Sequence, residues 1–436
     1  MKFIHKDSSQ LAEEQIVEAG KSLQTYVQRL NDLKAAGGYA EAEGSINLAA
    51  DEALLESVLL LSKQKATEKL RYIIDIGIGG SNLGTKAVYD ALYGAYDVVE
   101  PQRFPKMIFL DTVDEGTLHK VTQLITTLHD KEEVLVNAIS KSGSTTETIS
   151  NLEVVTGALK EKFGDIWDRV VITTDDNSNF MQEAQKKGIS TLSVPKLIGG
   201  RYSVLSAVGL FPLACCGIDV KALRNGALSI REACLKMCVD ENPAMLSAIF
   251  LYLHNKEGRN INDNFFFQPS MESLGKWYRQ LMGESIGKEH NLQGEAVRVG
   301  ITPTVSIGST DLHSVAQLYY GGPADKCTTF VWIEHSKNET KVPHEVDFPL
   351  VSHIADKKIY SIIEAIRQGV MISYKNHKMP FVEVVLDSVQ EEELGAYLQF
   401  KMMEMMFLAQ LFNVNAFDQP HVEVYKAEMK KILANN

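Results

Sequence analysis

Between an apolar run and a helical pattern the chain carries "SKSGSTT", Ser140 to Thr146, followed by Glu147. A core has little use for so many small hydroxyls. Backbone N–H groups and short hydroxyls gathered at a helix start suit phosphate oxygens, and Lys141 adds positive charge. The same stretch also has a plainer reading. Ser144 followed three residues later by Glu147 is the pattern of a capping box. That accounts for two residues and leaves Ser140, Ser142, Thr145 and Thr146 without a role. No Walker lysine and no magnesium-binding signature accompanies the loop, so the chemistry it suggests is a phosphate held and not transferred.

Other candidates are scattered along the chain. "DIGIGGSNLG", Asp75 to Gly84, is a glycine-rich turn between an apolar run and a helical stretch. Its spacing departs from G-x-G-x-x-G, and tight strand-to-helix turns often contain glycine anyway. "IGGRYSVLSAVGLFPLA" sets Arg201 just ahead of an apolar helix that includes Ser203 and Ser206. The positive end of a helix dipole is a poor place for a cation, so an anionic substrate or intermediate would give this arginine a reason. In "MESLGKWYRQLMGESIGKEH" an amphipathic helix ends near Gly283 and leaves Glu284 at the junction with a loop. His313, in "STDLHS", sits one turn into a helix opened by Ser309, Thr310 or Asp311. Lys426 follows Gln419 by seven residues in "FDQPHVEVYK". Taken singly, each has a bland alternative: a solvated glutamate, a structural histidine, a surface lysine.

Something must bring these residues together. Short β-rich runs, "YIIDIGIG", "KMIFLD", "EVLVNAIS", "RVVITT" and "STLSVP", alternate with helical patterns long enough to cross over. That is the signature of a doubly wound parallel sheet. A second series, "NDNFFFQPS", "TPTVSIG", "TTFVWIEH" and "PFVEVVLD", predicts a second α/β unit. The expected organisation is a helical segment 1–67, broken at "AAGGYAEAEGSINLAA", α/β domains at 68–215 and 216–410, and a helical tail 411–436. Ser388 and Glu391 read as a capping box for a last long helix, whose methionines at 402, 403, 405 and 406 are expected to fill core.

Composition narrows the function classes. Across 436 residues, 45% are hydrophobic and 23% charged, an ordinary globular profile. The net charge of −12 argues against a general nucleic-acid or anionic-membrane binder, which needs a basic face. The N-terminus lacks the apolar core of a signal peptide, and the longest apolar stretch, "VLSAVGLFPLACC", is too short to span a bilayer. Five cysteines without a secretion signal predict reduced, buried thiols and a cytoplasmic location. Cys234 and Cys238 fall four apart on one expected helix face, with no matched histidine or carboxylate to make a metal site.

Together, "GIGGSNLG", "SKSGSTTET", "GGRYSVLSAVGL", "ESIGKE", "STDLHS" and "FDQPHVEVYK" occur in one order over residues 70 to 430. This set resembles the glucose-6-phosphate isomerase (phosphoglucose isomerase) family, in its shorter bacterial type. The resemblance implies two sugar-isomerase domains of SIS type, with the active site between them and at a homodimer interface. It also implies reversible conversion of glucose 6-phosphate to fructose 6-phosphate through a cis-enediol, in glycolysis and gluconeogenesis, with no cofactor and no metal. By matching motif, Glu284 is the base that moves the proton between C2 and C1. His313 assists ring opening from the neighbouring subunit, Lys426 acts near the ring oxygen with Gln419 beside it, and Arg201 stabilises the enediolate. Ser140, Lys141, Ser142, Ser144 and Thr145 match the phosphate loop, Glu147 a substrate-side carboxylate, and Gly80 and Ser81 the first glycine-rich turn. Asn82 departs from the aspartate common at its place. The interval from Glu284 to His313 is also longer than in close bacterial relatives, which predicts a loop insertion at "KEHNLQGEAVRVG".

The residue types suit that chemistry. One carboxylate held near both carbons can carry out both halves of the proton transfer. A guanidinium, always charged, can face the developing enediolate oxygen, while the remote phosphate supplies binding energy for positioning. A rival from another class is a non-catalytic sugar-phosphate sensor, which has no need of Glu284, His313 and Lys426 together. Acceptance of mannose 6-phosphate is a third possibility that the sequence leaves open.

Overall fold

The structure, a computed structural model, describes residues 1–435. Strand β1 (Lys2–Ile4) leads into helices α1 (Glu13–Ala36) and α2 (Glu52–Lys65). Between them, Ala42–Ala50 winds as a 3₁₀ turn at the expected break, and the Asp51 carboxylate caps α2 by accepting from Leu54 N at 2.9 Å. The first sheet is then laid down by β2 (Tyr72–Ile76), α3 (Leu83–Tyr93), β3 (Lys106–Leu110), α4 (Glu115–Thr127), β4 (Val134–Ile139), α5 (Thr146–Phe163), β5 (Val170–Thr174), α6 (Asn179–Lys186) and β6 (Ser190–Ser193). Its order is β3-β2-β4-β5-β6, all parallel. Every residue of β4, "VLVNAI", is buried, as expected of a central strand covered by helices on both faces. From β2 the chain steps to one side, then returns to β4 on the other. The loops leaving β2 and β4 therefore flank the crevice where such sheets bind ligands.

Helices α7 (Ala207–Cys215), α8 (Val220–Cys234) and α9 (Pro243–Lys256) follow. The second sheet comes from β7 (Ile261–Phe266), α10 (Glu272–Ile286), a hairpin of β8 (Lys288–His290) and β9 (Ala296–Val299), β10 (Thr302–Ile307), α11 (Ala316–Gly321), β11 (Lys326–Ile333), α12 (Ile359–Asn376) and β12 (Phe381–Leu386). Its order is β1-β12-β11-β7-β10, parallel except where β1 adds antiparallel to β12. Helices α13 (Glu391–Phe412) and α14 (Glu423–Asn435) end the described chain. The fold is thus mixed α/β with two doubly wound sheets and helices at both termini.

Helix α10 joins the two halves. It packs on α3 of the first sheet, on β10 of the second, and on α13. Around it lies an apolar core that also takes in α1, α7, α8 and α9 and the four methionines of α13, all fully buried. Among the described residues no helix is long and apolar enough to cross a membrane.

Several local expectations are corrected. Helix α13 starts at Glu391 behind Gln390, and no side chain caps it, so Ser388 and Glu391 form no capping box. Cys234 ends α8, whereas Cys238 lies beyond that helix and is exposed; the two share no helix face, and one thiol is not buried. Ser203 and Ser206 precede α7, with Ser206 as its N-cap, accepting from Val208 N at 3.2 Å. The stretch "KEHNLQGEAVRVG" is not an open loop but the β8–β9 hairpin.

Candidate active site

The turn after β2 is shaped by close approach. Gly79 has φ +59°, and a Cβ on Gly80 would fall 2.1 Å from the carbonyl carbon of Gly200 and 2.5 Å from Arg201 N. Only glycine lets these two backbones meet. The contact fixes the 3₁₀ turn Gly79–Ser81 against a second 3₁₀ turn, Gly200–Tyr202, which carries Arg201. Asn82 is buried beneath, and neither its side-chain oxygen nor its nitrogen meets a partner.

Arg201 does not lie on the N-terminus of α7. It is a buried cation that gives away all its donors. Nε donates to Ser285 Oγ at 3.0 Å, and Nη2 to the carbonyls of Ala416 and Asp418 at 2.6 and 3.1 Å. Nη1 donates to Glu284 Oε2 at 2.9 Å and to Gln419 Oε1 at 2.7 Å. A buried charge is tolerable only with such pairing. Nε and Nη2 bond to Ser285 Oγ and to backbone carbonyls, while Nη1 faces the side-chain oxygens of Glu284 and Gln419.

Helix α10 runs to Ile286, so Glu284 lies in its last turn and not past its end. A carboxylate there faces the negative pole of the helix, and Arg201 offsets that. The other oxygen, Oε1, accepts from Gln280 Nε2 at 3.1 Å. Gln280 in turn lies under the first turn, since a Cβ on Gly79 would meet its Nε2 at 2.8 Å. Gln280 was missed in the sequence. Its signal is the i, i+4 spacing from Glu284, which places both on one helix face.

The loop after β4 is knitted internally. Ser140 Oγ and Thr145 Oγ1 are 2.9 Å apart, and Gly143 N donates to Ser140 Oγ at 3.1 Å. Helix α5 begins at Thr146 with Thr145 as N-cap and no side-chain cap, so the capping box of Ser144 and Glu147 does not form. Ser142 and Ser144 are exposed, with Ser144 N donating to Ser142 Oγ at 3.3 Å, and Glu147 is half-buried in the first turn of α5. Lys141 Nζ donates to the Ile198 carbonyl at 2.9 Å, tying this loop to the segment that leads into Arg201. Burial lowers the Lys141 ammonium below its ordinary value.

Lys426 lies in the first turn of α14 and donates to Glu423 Oε1 at 2.8 Å. That bond raises its ammonium above the usual lysine value, and the charge of Glu284 adds to the rise, so the two groups are within electrostatic reach. His313 is not bonded to this group. It closes a 3₁₀ turn, Thr310–His313, instead of entering a helix, is exposed, and makes no hydrogen bond or ion pair to Glu284, Arg201 or Lys426. One chain thus gathers Arg201, Glu284 and Gln419 with the Gly80–Ser81 turn and links the β4 loop to them through Lys141, while Lys426 and His313 share no hydrogen bond with Glu284 or Arg201.

The phosphoglucose isomerase family profile matches residues 61–436. The chain belongs to that family. Among its relatives, a glucose-6-phosphate isomerase of Carboxydothermus hydrogenoformans is 34% identical over 368 residues, 83% of this chain and 78% of that protein. One of Methanocaldococcus jannaschii is 34% identical over 377 residues, 85% of this chain and 86% of the relative. Among solved structures, a hypothetical protein of Thermus thermophilus superposes with a TM-score of 0.86 at 30% identity, covering 99% of both chains. A glucose-6-phosphate isomerase of Chlamydia trachomatis gives 0.83 at 20% identity, over 97% of this chain and 86% of that one, which shows the shared fold.

Proposed function

We propose that this chain interconverts D-glucose 6-phosphate and D-fructose 6-phosphate through a cis-enediol, as its family membership supports, and that Glu284 carries the proton. The observation behind the proton carrier is the position of Glu284, whose carboxylate is held between Arg201 and Gln280 at the meeting of the two halves. Starting from the open-chain aldose, Glu284 takes the C2 proton, the electron pair forms the C1–C2 double bond, and the carbonyl pair moves to O1, where negative charge develops. Passage of the O2 hydroxyl proton to that oxygen, O1, and return of the carried proton to C1 re-form the carbonyl at C2 and complete the ketose, with no net change in atoms or charge.

Arg201 meets that oxygen through Nη1, whose two partners are side chains that can yield to a substrate. Nε and Nη2 stay bonded to Ser285 and the carbonyls of Ala416 and Asp418. The cation is therefore held before charge develops, which is where electrostatic stabilisation is most effective. Ser140, Ser142, Ser144 and Thr145, with Lys141, hold the 6-phosphate, and Glu147 and the Gly80–Ser81 turn contact the substrate. Lys426 serves the ring oxygen with Gln419. His313 assists ring opening in a neighbouring copy within a homodimer, a role its exposure suits. The five free thiols support a cytoplasmic location.

A coupled assay of glucose 6-phosphate formation from fructose 6-phosphate tests this reading. The wild type should turn over robustly, and Glu284→Gln should lose about three orders of magnitude or more in kcat. A wild type that binds the sugar phosphate without turnover would make the chain a sensor. An undiminished Glu284→Gln would remove the glutamate from its role.

A further inference from the structure

The hairpin β8–β9 lies along residues 413–421, the irregular stretch between α13 and α14 that supplies Arg201 with acceptors. Leu292 N donates to the Asn413 carbonyl at 2.9 Å, and the Asn413 amide donates to Gln293 Oε1. His421 Nε2 is 3.3 Å from Glu289 Oε2. Innermost is Lys288, whose side chain is only 7% exposed. Its Nζ donates to Asp418 Oδ1 at 2.7 Å and to the Asp418 backbone carbonyl. Arg201 Nη2 donates to that same carbonyl at 3.1 Å, so two cations share one acceptor.

A lysine this deep is costly unless its charge is used. Burial lowers its ammonium below the ordinary value, and the bond to Asp418 works against that loss. Other polar ties of the stretch are local, such as Asn415 Nδ2 to Asp418 Oδ2 at 3.0 Å, and Phe417 packs on Tyr202 with ring centroids 5.0 Å apart. Beyond its junction with α13, where Asn413 N and Val414 N donate to the Gln410 and Ala409 carbonyls, its polar anchors among the described residues are the hairpin and Arg201 itself.

We propose that Lys288 is a positioning residue for the isomerase reaction. With hairpin β8–β9 it clamps Asp418 and Gln419, and through them it fixes the acceptors that aim Arg201 at Glu284. This rests on the reading of Glu284 and Arg201 given above. Lys288 touches no reacting atom; loosening it lets the guanidinium drift, and displacements near 1 Å cost about 100-fold in rate.

The test compares full-length Lys288→Met and Lys288→Arg with wild type, by kcat and KM for fructose 6-phosphate and by amide hydrogen exchange. Lys288→Met should lower kcat by roughly ten- to a hundredfold while KM stays within about threefold, because the β4 loop is untouched. Exchange should quicken over 413–421, with the sheets as protected as in wild type. Lys288→Arg, which keeps a buried donor cation, should recover most of the kcat. Wild-type kcat in Lys288→Met overturns the proposal, as does a kcat loss without faster exchange at 413–421, or no rescue by arginine. If Glu284→Gln proved fully active, the reading of the site would fail, yet exchange at 413–421 would still report whether Lys288 holds the clamp.

Discussion

Arg201 Nη1 and Glu284 Oε2 are 2.9 Å apart, yet the arginine side chain is 2% exposed and the glutamate 30%. The cation is built into the protein, and the carboxylate is partly open to solvent. In the proposed reaction this asymmetry would divide the labour, with Glu284 serving the two adjacent carbons and Arg201 held in place.

Replacing Arg201 by lysine keeps the charge and removes the fan of donors. One ammonium cannot serve Ser285, Ala416, Asp418, Glu284 and Gln419 together, and each buried acceptor left without a partner costs about 1–3 kcal/mol. Arg201→Lys should therefore lower the melting temperature and cut kcat at least ~100-fold, with KM little changed. Steady-state kinetics with a thermal melt check this. A variant that melts early but keeps wild-type kcat would reduce Arg201 to scaffolding.

The sheets were legible because most of their strands are β-rich, largely apolar runs that end at turn signals; β4 can be read directly from "VLVNAI". Strand β1 was not, since three residues carry no periodicity and its pairing with β12 spans nearly the whole chain. Both capping boxes failed for a common reason. The pattern needs the helix to start at the residue after the serine, and α5 and α13 both start later. The hairpin was hidden because "KEHNLQGEAVRVG" is polar on both faces and is held by contacts with residues over a hundred positions away. Motifs placed Glu284 and Arg201 in one site, but which nitrogen of Arg201 faces the glutamate, and that Gln280 holds its other oxygen, depends on α10 meeting the Gly200 turn.

His313 makes no hydrogen bond or ion pair with Glu284, Arg201 or Lys426 of its own chain, and that can be put to use. If His313 acts in a neighbouring copy, Glu284→Gln and His313→Ala chains, each nearly inactive, should complement when unfolded and refolded together. A mixed dimer has one site with both residues intact, and random pairing restores about a quarter of wild-type activity. Co-refolding followed by the coupled assay reads this out. No recovery from a mixture shown to contain mixed dimers would place His313 outside the neighbour's site.

Asp75 lies at the end of β2, fully buried, with Asn137 Nδ2 donating to Oδ1 at 2.7 Å and Oδ2 without a partner. Burial pushes its carboxyl from the usual 3.8 up to about 7, and the Asn137 bond only partly opposes this. Below pH 3.8 the acid is neutral folded or unfolded and carries no penalty. Between 3.8 and about 7 the unfolded chain releases the proton and the folded chain keeps it, so stability falls as pH rises. The whole window is worth on the order of 4 kcal/mol at this site. Asp75→Asn keeps an acceptor for Asn137 and puts a neutral N–H donor where the protonated acid has its hydroxyl. Its stability relative to wild type should therefore climb from pH 4 to pH 7. Denaturant unfolding of both proteins across that range checks the slope. A pH-independent difference between them would mean that Asp75 is ionised in the fold, with water satisfying Oδ2.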